Sequence, residues 1–132
     1  LDVIERLIRH DKPVVSGVYF NFHMVNGLPR EVPVAWTDWD DATESMKYLD
    51  LRHLAKPQLM EVSAFGMGCV LIKREVMEKI AFRYDASKLG AFEDVFFCYD
   101  ARKLGYKLYI DTTVRCDHIT VRGGKWKGDT LY

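Results

Sequence analysis

Cysteine is scarce in this chain and odd in number: Cys69, Cys98 and Cys116 are all it carries. They stand in apolar or strand-like surroundings. They therefore read as reduced thiols of a cytoplasmic protein, not as a disulfide framework. Cys116 and His118 have no second Cys/His pair at a suitable spacing, which argues against a structural zinc site. No apolar run approaches the roughly 18 residues of a membrane span, and no secretory signal pattern is present. An excess of either charge is missing too, with Lys plus Arg and Asp plus Glu at 19 each. That balance removes the electrostatic footprint of a general nucleic-acid binder. Internal repeats and low-complexity segments are absent. What remains is an ordinary globular composition, 48% hydrophobic and 29% charged over 132 residues, enough for one domain or part of one.

Taken in order, Asp2-Val-Ile-Glu5 resembles a capping box, and Ile4, Leu7 and Ile8 then share a helical face. Pro13 closes that helix. A capped amphipathic helix at the very start reads as a chain cut inside a larger fold. Val14–Phe20 is apolar on both faces, as in a doubly covered strand. Asn26-Gly27 marks a turn, and Val32–Trp36 a second strand that Pro33 places at an edge or a beginning. Thr37–Pro57 is the least regular stretch, with a short helix expected around Met46–Leu54. Met60–Ala64 leads as a strand into Phe65-Gly66-Met67-Gly68, Cys69–Ile72 continues as a buried strand, and Arg74–Ile80 is a short helix. Phe82–Phe92 is a linker. Glu93–Leu104 is a helix stopped by Gly105, which suits the left-handed closing position. Tyr106–Ile110 is a strand, Asp111-Thr112 a turn, and Val114–Ile119 a last strand. The segment from Arg122 to Tyr132 is expected to be a mobile tail after a domain spanning 1–121. Strands alternating with helices over short joins imply an α/β fold.

Four features bear on chemistry. Glu93-Asp94 opens a helix, where the dipole alone favours acidic residues by about 0.3–1 kcal/mol each. On that helix Asp94 shares a face with Phe97, Cys98 and Ala101, so its carboxylate is turned toward the core side. A carboxylate there could serve as a general base if a substrate hydroxyl came within hydrogen-bond reach. The two glycines of Gly66-Met67-Gly68 imply positive φ angles or a close approach of backbone to some other group. His118 reads either as a strand histidine satisfied by a hydrogen bond or as a ligand for a manganese-type ion. Asp38-Trp39-Asp40 can hold a metal through its carboxylates, but reads more simply as a solvated acidic loop. Among the aromatics, Tyr19, Trp36, Trp39 and Trp126 could stack on sugar rings, with core packing the default for Tyr19.

The series Val62–Ile80, Phe92-Glu93-Asp94, Gly105-Tyr106 and Cys116-x-His118 resembles the second half of a GT-A glycosyltransferase of the family 2 kind. The resemblance covers most of Leu1–Thr120. It implies a partial GT-A, Rossmann-like mixed sheet flanked by helices. It also implies transfer of a sugar from a nucleotide-sugar donor to a glycan or other hydroxyl acceptor, with inversion. Asp94 then matches the catalytic base and Glu93 its partner. Gly66, Met67 and Gly68 match the acceptor-side turn, Trp36 is a candidate sugar contact, and His118 matches a histidine that completes coordination of a divalent metal, manganese or magnesium, on the donor diphosphate. The family's donor-binding half and its Asp-x-Asp have no counterpart here, because Asp38-Trp39-Asp40 comes too late in the order. The chain is thus expected to be the acceptor-side portion, inactive alone and able to self-associate through an exposed sheet. Two other classes compete. One is a non-catalytic binding or assembly module on the same scaffold. The other is a nucleotidyltransferase, which would need a phosphate-cradling glycine loop near the N-terminus that is not seen.

Overall fold

A computed structural model describes residues 2–40, 45–85, 92–119 and 125–126. The chain folds as a mixed α/β structure in which strands outnumber helices.

The first helix, α1 (Val3–Arg9), starts where the capping residues placed it, with the Asp2 carboxylate accepting from the Glu5 amide at 2.9 Å. Strand β1 (Val14–Val18) follows and is buried along its whole length. It is the centre of the molecule. The later strands β8 (Val70–Ile72) and β9 (Leu108–Arg115) lie on either side of it, β8 antiparallel and β9 parallel. Strand β6 (Leu59–Val62) pairs antiparallel with β9 and completes a four-stranded mixed sheet in the order β6-β9-β1-β8. Side chains alternate across this sheet. Val14, Val18, Leu108 and Ile110 face one hydrophobic cluster, while Val15, Leu71 and Tyr109 face another with Leu7 of α1. Helices therefore cover both faces, which explains why β1 reads as an unbroken apolar run.

Between β1 and β6 the chain is more strand-rich than its sequence suggests. Strands β2 (Phe20–Val25) and β3 (Leu28–Pro33) form a hairpin closed by Asn26 and Gly27, both at positive φ, +53° and +76°. Two such residues are what a tight hairpin turn demands. Strand β4 (Ala35–Asp40) pairs with β5 (Ser45–Tyr48) and with β7 (Ala64–Phe65). Asp38-Trp39-Asp40 is accordingly strand and not acidic loop, and Asp38 faces Lys47 across the ladder. The helix expected over Met46–Leu54 shrinks to α2 (Leu51–Leu54), because Met46 to Tyr48 are taken up by β5.

Helix α3 (Arg74–Met77) is shorter than expected, with Val76 buried. Helix α4 (Glu93–Lys103) ends on Leu104, and Gly105 adopts φ +88° as the closing position requires. The turn expected at Asp111-Thr112 is absent, since both residues lie inside β9. Side chains and not a turn explain their polarity there. Thr112 donates to Lys56 O at 2.7 Å, and Asp111 accepts from Thr113 and pairs with His10. Strand β10 (His118–Ile119) pairs with β11 (Lys125–Trp126), His118 opposite Trp126. That pairing ties part of the expected tail to the domain. The rest of 120–132 lies outside the described residues, as do 41–44 and 86–91 of the acidic stretch and the linker.

Candidate functional site around Asp94 and the Gly66–Gly68 turn

Helix α4 is held by Phe97, Cys98 and Ala101, all fully buried. It packs on β7, and the Cys98 thiol donates to Phe65 O at 3.5 Å. Burial pushes that thiol up to about 12, so it is a core group and not a nucleophile. Asp94 lies one turn before Cys98 on the same side of the helix. Strand β7 runs straight into Gly66-Met67-Gly68, and the carboxylate of Asp94 meets that turn.

Asp94 is half-buried, and its pKa is raised. Desolvation is the main cause. It outweighs the Val95 amide, which donates to the carboxylate, and the weaker pull of the Asp94 and Met67 backbone, and the neighbouring charge of Glu93 adds to the rise. The Val95 amide reaches Oδ1 at 2.8 Å. Glu93 itself is exposed.

The group that approaches the two glycines is Tyr19, in the link between β1 and β2. A Cβ on Gly66 would overlap the Tyr19 hydroxyl outright and come within 2.8 Å of Val34 Cγ1. A Cβ on Gly68 would lie 2.7–3.0 Å from three atoms of the tyrosine ring. Real side chains do not tolerate such contacts, so both positions exclude anything larger than glycine while Tyr19 stays in place. Burial, with the Asp94 charge second, raises the pKa of the Tyr19 phenol, and the backbone of Gly68 opposes the rise. The backbone of one turn, Met67 and Gly68, thus borders both the carboxylate of Asp94 and the hydroxyl of Tyr19.

On its other side Tyr19 meets His118, ring centroids 5.7 Å apart and nearly perpendicular. Nδ1 of His118 is hydrogen-bonded to Phe20 O at 3.0 Å, which makes it the protonated nitrogen and leaves Nε2 as the acceptor. Both rings line a cleft of about 380 Å³ with Asn21, Gly68, Cys116 and Asp117. Asp94 is not among its lining residues. The structure therefore brings the glycine turn and His118 together at Tyr19, a residue the sequence reading left in the core, while Asp94 acts on Tyr19 through its charge and does not border the same cleft. Two glycines so close signalled a neighbour, but nothing local could say which.

Trp36 stands apart from this group. It lies in β4 and packs against Tyr48 of β5, ring centroids 5.5 Å apart. Tyr48 borders a separate cleft of about 330 Å³ with Asp50, Leu51 and Arg52. Metal fit is poor. Among the described residues no group of three or more His, Cys, Asp or Glu could hold an ion. His118 could offer a single imidazole, so no chemistry is routed through a metal here.

A second polar cluster lies between α1 and β9. His10 Nε2 is 2.8 Å from Asp111 Oδ2, and the amide and hydroxyl of Thr113 donate to Asp111 Oδ1 at 2.8 and 2.6 Å. Arg6 adds a hydrogen bond to the Thr113 hydroxyl. These bonds pin α1 to β9.

No family model matches the chain, and no curated protein matches it. Among solved structures, the crystal structure of A197 from STIV is similar at 20% identity, covering 98% of this chain, with a TM-score of 0.45. The chain spans 59% of the length of that one.

Proposed function

We propose that this chain is the acceptor-side portion of a GT-A-type glycosyltransferase in which Asp94 is the general base. One observation supports the reading: a half-buried carboxylate at the start of α4, held by the Val95 amide at 2.8 Å, whose burial raises its pKa. Desolvation makes the carboxylate a stronger base than an exposed aspartate. In the proposed step Asp94 removes the proton of an acceptor hydroxyl. The oxygen forms a bond to the anomeric carbon of a nucleotide sugar, and the nucleoside diphosphate leaves with the electrons of the broken bond. Glu93, exposed beside the base, is placed to orient the acceptor. His118 lines the adjoining cleft.

The test is release of nucleoside diphosphate from a panel of UDP- and GDP-sugars with simple saccharide acceptors, on the protein that carries this chain at its natural full length. Asp94→Asn should lower the rate at least 100-fold, the scale of a lost general base, with little change in KM. Turnover that survives the substitution overturns the assignment.

A second reading, a non-catalytic binding module, is favoured by the position of Asp94 outside the His118 cleft. It is distinguished by saccharide binding that perturbs His118 resonances, with no donor consumed and no effect of Asp94→Asn.

A further inference from the structure

Tyr19 neighbours Gly66, Gly68 and His118 at once, and the Asp94 charge acts on its hydroxyl. Its ring takes the space over both glycines. Its hydroxyl lies beside the backbone of Gly68, and the backbone of the preceding Met67 borders Asp94. Its ring edge meets His118 and borders the cleft. Asp94 is not among the residues that line that cleft.

We propose that Tyr19 is the positioning residue of this site: its ring clamps the Gly66–Gly68 turn so that the Met67 amide stays on Asp94, and it shields that carboxylate from the water of the His118 cleft. The proposal deepens the transferase reading, and rests on it for the meaning of Asp94 as a base. Its physical content, that one aromatic ring governs the solvation of one carboxylate, needs neither donor nor acceptor. Tyr19 backbone also matters locally, because its carbonyl accepts from Val34 N at 3.0 Å. That bond is untouched by a change of side chain, so the strand link survives substitution.

The experiment follows the Asp94 side-chain carboxyl by carbon NMR against pH in the wild type, Tyr19→Phe and Tyr19→Ala, with a thermal melt of each as a check of folding. Tyr19→Phe keeps the ring and should keep the raised titration midpoint. Tyr19→Ala opens the carboxylate to water and should move the midpoint down toward that of an ordinary aspartate, with loss of protection at the Met67 and Gly68 amides in hydrogen exchange. A folded Tyr19→Ala whose Asp94 midpoint is unchanged overturns the proposal. Should the alanine variant fail to fold, the wild type decides: the Met67 and Gly68 amides must be protected, and free exchange at either removes the clamp. None of these readouts consumes a nucleotide sugar, so a failed clamp leaves the transfer assay standing, and a failed assay leaves the clamp standing.

Discussion

Two aspartates, one in β9 and one in α4, show what burial does to a carboxylate with and without side-chain partners. Asp111 in β9 is only 6% exposed. Burial raises its pKa, but hydrogen bonds from Thr113 and His10 more than offset the rise and leave it lowered. In Asp94 of α4 desolvation outweighs the backbone amides that reach it, and its pKa is raised. The first carboxylate is satisfied and joins a helix to a strand. The second is left in want of a proton, the condition expected of a group poised for chemistry and costly to one that only holds structure together.

The largest effect should come from removing the satisfied one. Asp111→Ala leaves His10 and Thr113 without their acceptor and should cost about 3 kcal/mol in urea unfolding. A loss below about 1 kcal/mol would mean that α1 is docked by Leu7 alone and would blur the contrast. Next comes the turn that serves the unsatisfied one. Gly68→Ala drives a methyl into the Tyr19 ring and should cost about 1–3 kcal/mol, the usual price of overpacking. Most of that cost should vanish in a Tyr19→Ala background, since the clash has one partner; additive losses would place the strain elsewhere.

The smallest effect concerns pH, and the two carboxylates should act with opposite sign. Asp111, lowered in the folded state, stabilises above its unfolded value near 3.8. That stability is lost as pH falls through its folded pKa. Asp94 is raised in the folded state, so its contribution is present below about 3.8 and is lost as pH rises through the folded value. Asp94→Asn should therefore raise the melting temperature slightly at neutral pH and leave it unchanged near pH 3. Equal shifts at both pH values would show that Asp94 is not desolvated at all.

Local chemistry made parts of this molecule legible in its sequence. The Asp2 cap, the doubly buried run from Val14, the Asn26-Gly27 turn and Gly105 behind α4 each rest on rules that act within a few residues. So did the facing of Asp94 toward Phe97, Cys98 and Ala101. The misses share one cause. Met46 to Tyr48 form strand because β4 lies alongside them, and Asp111-Thr112 stay extended because His10 and Thr113 satisfy the carboxylate and Gln58 O takes the Thr112 amide at 3.0 Å. On α1, Leu7 is buried while Ile4 and Ile8 stay 63% and 57% exposed, so the apolar face is only partly covered. Tyr19 is the sharpest case. The glycines that accommodate it lie more than forty residues away, and only the fold brings them under its ring.

The parallel ladder between β1 and β9 sets Val14 beside Leu108. Closing so long a loop precedes the contacts that reward it, and such non-local pairing slows folding. Tyr19 leaves β1, and α4 leads into β9, so the neighbourhood of Asp94 is assembled in the same event that joins the two strands. A peptide covering either half alone would carry the right residues and none of the site.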